Sequence, residues 1–154
     1  MKKILITGSR GALGTVLTDF LKDNNLQVYG FDLTKKQQQS DIVGDLTTDD
    51  LSKKIPSDID SIIHLAAFNG VSFCEKDPIK CYQVNFIGTL RLLEFIKEHR
   101  NISLLLAGSA DSLHYSLNNK INNFYSHSKS IIEGLSEKYS RDFKLNIHIL
   151  QMTS

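Results

Sequence analysis

The sequence has no tryptophan, only two prolines and only two cysteines in 154 residues. Two cysteines are too few for a disulfide scaffold, and Cys74 and Cys81 match neither CxxC nor zinc-finger spacing. Nothing at the N-terminus resembles a secretory signal, so they read as reduced thiols of a cytoplasmic protein. Neither sign of charge is in excess: 18 Lys and Arg face 17 Asp and Glu, a formal net charge of +1. That balance leaves no electrostatic footprint for nucleic acid or for an anionic membrane. No apolar run approaches the ~20 residues that span a bilayer. Hydrophobic residues make up 41% of the chain and charged ones 23%, which excludes disorder and predicts one domain around one core.

What the chain does have is alternation. Ile4-Leu5-Ile6 is a short unbroken apolar run, as expected of a parallel strand covered on both faces. Ala12, Leu13, Val16, Leu17, Phe20 and Leu21 follow at helical spacing, closed by Asp23-Asn24-Asn25. Further strands are predicted at 27–31, 41–43, 60–66, 102–107 and 145–150. One helix is predicted to begin at Asp77-Pro78, carry Ile79, Tyr82, Phe86, Leu90 and Leu93 on one face, and end near His99-Arg100. Another covers about 124–142. The low-complexity patch Lys35-Lys36-Gln37-Gln38-Gln39 reads as a solvated loop. Six strands alternating with helices predict an α/β fold, a Rossmann-type doubly wound parallel sheet with helices on both faces.

Between the first strand and first helix lies Gly8-Ser9-Arg10-Gly11-Ala12-Leu13-Gly14, a G-x-x-G-x-x-G run. The first glycine permits a tight turn, the second lets a diphosphate reach the backbone, and the third lets helix and strand pack closely. A strand before and a helix after is the context that makes such a run a dinucleotide site. Asp32, at the tip of the second strand, stands where an acid accepts hydrogen bonds from the adenosine ribose and repels a 2′-phosphate, favouring NAD over NADP. Arg10 leaves three readings open: a cation for a 2′-phosphate, a partner for Asp32, or a solvated loop residue. Asp45 has two, a contact to the adenine amino group or a cap for the next turn. Tyr125 and Lys129 stand four apart on one helical face, where an ammonium lowers the phenol pKa and makes it a usable acid/base. His64, within a strand, reads as a satisfied core residue. His114 and His127 have no metal-ligand spacing, and no metal site is predicted.

The glycine loop, Asp32 and the YxxxK pair together resemble the short-chain dehydrogenase/reductase superfamily. His64-Leu65-Ala66-Ala67 resembles the HLAA segment of its extended branch, the NAD-dependent epimerases and dehydratases of nucleotide sugars. Val84 to Thr89 (VNFIGT) is similar to that branch's VNxxGT helix motif, and Leu106 to Ala110 (LAGSA) to the end of the fifth strand with its catalytic Ser or Thr. Tyr125 to Lys129 (YSHSK) is similar to Tyr-Gly-x-Ser-Lys, with Ser126 in place of Gly. The resemblance implies NAD as cofactor, lying along Gly8 to Gly14, Asp32, Asp45, Leu46, Ala66, Ala67, Tyr125 and Lys129. It also implies roles: Tyr125 as acid/base, Lys129 on the nicotinamide ribose, Ser109 on the reacting sugar hydroxyl, and Asn85 orienting Lys129 through water. A homodimer through the helices of Asn85 and Tyr125 is a further implication. Asp111 stands near where the dehydratases carry an additional carboxylate.

The resemblance breaks off in one respect. Extended members continue past the sixth strand into a region that binds the substrate's nucleotide, and this sequence has no such region. The expectation is therefore residues 1–154 as a cofactor domain without its substrate half. It would be a fragment of a nucleotide-sugar epimerase or dehydratase, a short natural NAD(H)-binding or sensor module, or one part of a site completed by a partner chain.

Overall fold

A computed structural model describes residues 2–34, 41–110, 112 and 121–152. The low-complexity patch, Asp111 and His114 lie outside the described residues. Six strands form one parallel sheet: β1 (Lys3–Thr7), β2 (Gln27–Asp32), β3 (Asp41–Val43), β4 (Ser61–His64), β5 (Ser103–Ala107) and β6 (Ile147–Leu150), in the order β3-β2-β1-β4-β5-β6. The order reverses at β1, so the crevice between the ends of β1 and β4 is the place where open α/β sheets bind ligands. The apolar runs read as buried strands are buried: Leu5, Ile6, Ile62, Leu104 and Leu106 are almost fully enclosed.

Side chains alternate across the sheet, so β1 sends Leu5 to one face and Ile6 to the other. On the Leu5 side, Phe31, Ile62 and Leu104 pack into the main core with Leu92, Leu93 and Ile96 of α5 (Thr89–Glu98) and Ile132 of α6 (Phe124–Phe143). Each such fully buried side chain contributes about 1.5–3 kcal/mol. The opposite face carries α1 (Ala12–Asp23), which buries Gly14 and Thr18. Three apolar residues of α1 stay exposed: Leu13, Val16 at 67% and Phe20 at 61%.

Two expectations need correction, and two elements went unseen. The helix predicted to run unbroken from Pro78 is α4 (Pro78–Tyr82), a π-helical segment (Gln83–Gly88) and α5. Within it Thr89 Oγ1 donates to the Asn85 carbonyl at 2.8 Å, a back-bond that loosens a helical ladder. The wider turn rotates the faces, so Ile79 is 73% exposed while Cys81, Asn85 and Thr89 are buried. Two short helices, α2 (Leu51–Lys54) and α3 (Val71–Lys76), carry too little periodicity to be seen in the sequence.

The second correction concerns the cysteines, which are not free thiols. Asp77-Pro78 folds α3 back on α4 and brings Cys74 and Cys81 to a Cα separation of 5.1 Å, where they form a disulfide. The spacing of the two residues shows no such corner. The pairing withdraws the thiol argument for a reducing compartment. No described helix is long and apolar enough to cross a membrane.

Candidate active site

A cleft of about 1390 Å³ runs over the ends of the central strands. At one end the chain leaves β1 through Gly8, whose φ is +69° and where a Cβ would stand 2.7 Å from the Ala66 nitrogen. Only glycine fits that turn. Gly11 then opens α1 with no side-chain cap and no acid in its first turn. The free N–H groups and positive dipole end of a 12-residue helix are therefore offered to the cleft, which Gly11, Ala12, Leu13 and Gly14 line.

Asp32 lines the same end, and its Oδ2 accepts the Arg10 backbone N–H at 2.9 Å. The Arg10 guanidinium goes elsewhere, with Nη1 3.3 Å from Asp41 Oδ2. The guanidinium is thus neither a solvated loop group nor a partner for Asp32: it pairs with Asp41, a carboxylate the sequence did not suggest. Asp45 and Leu46 also line the cleft. Asp45 Oδ1 accepts from the N–H and hydroxyl of Thr47 at 2.8 and 2.7 Å, the turn-capping one of its two readings. Ser9 is buried with its side chain against Gly30 rather than in the cleft.

The other end brings together Ala66, Ala67, Ser109, Tyr125 and Lys129. Asn123 caps α6 by accepting the Ser126 N–H at 2.7 Å, which places Tyr125 in the first turn and Lys129 one turn on. The Lys129 amine donates to the Ala107 carbonyl at the end of β5. Burial holds its pKa below the ordinary lysine value, and the Glu133 carboxylate acts against that shift.

Glu133, one further turn along the same face, was not singled out in the sequence. Its Oε1 accepts the Ser109 backbone N–H at 3.0 Å, while Oε2 accepts from Ser112 Oγ at 2.6 Å and Gln151 Nε2 at 2.9 Å. The carboxylate thus fixes the backbone under Ser109. An i, i+4, i+8 reading from Tyr125 would have found it. Asn85 lies behind the cleft. Its Oδ1 accepts the Phe68 N–H at 2.7 Å and its Nδ2 donates to Ser128 Oγ at 3.0 Å, beside Lys129.

His64 links the two ends. Thr7 Oγ1 lies 2.6 Å from its Nδ1, and Nε2 lies 2.8 Å from Thr89 Oγ1. Because the Thr89 hydroxyl donates to the Asn85 carbonyl, Nε2 must be the ring donor and Nδ1 must accept from Thr7. Both nitrogens of a neutral ring are thereby satisfied. Burial, with Lys129 adding a smaller push, lowers its pKa from 6.5 to about 3. It is a core residue, as its place in the strand suggested. Among the described residues no His, Cys, Asp and Glu group could hold a metal ion.

Residues 4–154 match the model of the NAD dependent epimerase/dehydratase family. The chain belongs to that family. It is 34% identical over 115 residues to the UDP-glucose 4-epimerase of Halalkalibacterium halodurans, covering 70% of this chain and 34% of that protein. It is 29% identical over 106 residues to a UDP-N-acetylglucosamine 4,6-dehydratase (inverting) of Campylobacter jejuni, covering 60% of this chain and 32% of that one.

Among solved structures, a short-chain dehydrogenase/reductase superfamily protein from Agrobacterium tumefaciens with bound NAD superposes with a TM-score of 0.83 at 25% identity. The match covers 97% of this chain and 48% of that one. The Bordetella bronchiseptica enzyme WbmF, in complex with NAD+ and UDP, gives a TM-score of 0.84 at 21% identity over the same shares, 97% and 48%, and so shares the fold. This epimerase/dehydratase-family chain thus spans about a third of the length of those curated relatives, and about half of those solved chains.

Proposed function

We propose that this chain is the NAD-binding part of a nucleotide-sugar epimerase or dehydratase, residues 1–154 forming a cofactor domain whose substrate-binding region lies outside it. One observation carries the reading. A glycine turn with an uncapped helix start and an acid at the tip of β2 share a cleft with Tyr125, Lys129 and Ser109. The Agrobacterium protein with bound NAD and the nucleotide-sugar relatives support the cofactor and substrate class.

Bound NAD supplies the hydride acceptor and donor for a sugar carbon. The chain's own groups handle the proton and the geometry. The α1 start takes the diphosphate, and Asp32 takes the adenosine ribose through the lone pairs that Arg10 leaves it. Tyr125 removes a proton from the sugar hydroxyl as the carbonyl forms, and returns one to its oxygen. Lys129 holds the nicotinamide ribose and its positive charge favours the phenolate. Ser109 hydrogen-bonds the same sugar oxygen. Asn85 orients Lys129 through water, from a side chain that Phe68 and Ser128 hold in place.

Pairing of two copies through the helices of Asn85 and Tyr125 belongs to the same proposal, supported by the exposed Ile79 and Ile87 on the Asn85 helix. So does a cytoplasmic location, supported by the NAD cofactor and the nucleotide-sugar substrate class that this reading assigns.

The test is titration of NADH into the chain, following nicotinamide fluorescence against a protein without tryptophan. Saturable binding is expected. A folded chain that shows none contradicts the proposal.

A further inference from the structure

We propose that Asp41 sets the preference of the cleft for NAD over NADP by holding the Arg10 guanidinium away from the adenosine 2′ position. The inference rests on the dinucleotide reading of the cleft.

Arg10 is the one cation in the glycine loop, and its backbone N–H is bonded to Asp32, the ribose acid, at 2.9 Å. A side chain rooted there starts beside Asp32, the acid that this reading assigns to the adenosine ribose. An unpaired guanidinium in that place would take a phosphate through two parallel N–H bonds. Here it is paired instead with Asp41, Nη1 to Oδ2 at 3.3 Å, and the two side chains are only 16% and 7% exposed.

The sheet builds this clamp. β3 pairs with β2 so that Asp41 lies opposite Gly30. Gly30 has no side chain, and a Cβ there would stand 2.8 Å from Asp41 Oδ1. The gap lets the Asp41 carboxylate lean over β2 towards the loop. One arginine residue therefore serves two acids through different atoms, its N–H on Asp32 and its guanidinium on Asp41. A 2′-phosphate would meet two carboxylates, with the only loop cation already neutralised.

The experiment compares NADH and NADPH affinities of the wild-type chain, Asp41→Ala, Arg10→Met and the double variant, each checked for folding by circular dichroism. Removing the clamp is expected to tighten NADPH about tenfold and to leave NADH within about twofold. The double variant returns to the wild-type ratio, because the gain requires the guanidinium that Asp41→Ala releases.

An unchanged ratio in Asp41→Ala overturns the assignment, as does a gain that persists in the double variant. Should Asp41→Ala fail to fold, Asp41→Asn, which keeps the shape and removes the charge, decides in its place: a selective gain in NADPH affinity supports the clamp, and an unchanged ratio overturns it. A folded wild type that binds neither dinucleotide sinks the cofactor reading and this inference together. Wild type that binds NADH alongside an unresponsive Asp41→Ala sinks this inference only.

Discussion

At the nucleotide end of the cleft, the groups that would meet a ligand are mostly backbone amides, set by the turn at Gly8 and the uncapped start of α1. At the reacting end they are side chains set by neighbours from distant segments: Lys129 by the Ala107 carbonyl, the backbone under Ser109 by Glu133, Asn85 by Phe68 and Ser128. A binding surface made of backbone needs only a local sequence and survives most substitutions outside its glycines. One made of side chains depends on elements far apart in the chain, here β5, α6 and the π-helical segment. His64 joins the two ends, with Thr7 at the root of the glycine loop on one side and Thr89, bonded to the Asn85 carbonyl, on the other.

The largest effect that would break this contrast is at Gly8. Gly8→Val places a branched side chain at a φ of +69° against the Ala66 backbone. NADH binding is expected to vanish and stability to fall by about 2 kcal/mol or more, read from urea unfolding.

His64 tests the link between the ends. Its folded pKa, about 3, lies below the ordinary value of 6.5, so as pH falls through 6.5 the unfolded chain takes up a proton that the folded chain refuses. Stability should therefore be constant in this respect above 6.5 and decline below it, by up to about 1.4 kcal/mol per pH unit until the folded pKa is reached. Urea midpoints measured across that range should show a steeper slope in wild type than in His64→Gln. Equal slopes would mean that the ring is not buried neutral.

Asp32→Ala sharpens the nucleotide end. NADH affinity should fall about tenfold and NADPH affinity by less, because the lost carboxylate favours one ribose and repels the other. Equal losses would remove Asp32 from that role.

The smallest expected effect is on NADH binding by Tyr125→Phe, within about twofold of wild type. The same substitution should reduce hydride exchange with a nucleotide sugar by about a hundredfold or more in any assembly that performs it. A large loss of NADH affinity would show that the two ends are not separable.

Local features were legible in the sequence. The inner strands β1, β4 and β5 carry short apolar runs, the glycine loop sits between strand and helix, and Tyr125 and Lys129 share a face because helical spacing requires it. What escaped was set by tertiary contacts. The π-helical segment, with the Thr89 back-bond across it, puts α4 out of step with α5 and leaves Ile79 exposed, and periodicity does not show it. The Cys74–Cys81 bond depends on the corner at Asp77-Pro78. Arg10 could not be assigned to Asp41 because the pair spans 31 residues and needs the β2–β3 register. Glu133 was within reach of spacing, but its hydrogen bonds to Ser109, Ser112 and Gln151 join three separate segments.

The most direct test is the change in backbone amide resonances of the isotopically labelled chain on adding NADH. If one cleft serves both ends, shifts should appear at Gly8 to Gly14 and Asp32 and also at Ser109 and in the first turn of α6 around Tyr125. Shifts confined to one end, or none in the glycine loop of a folded chain, would contradict a single dinucleotide cleft.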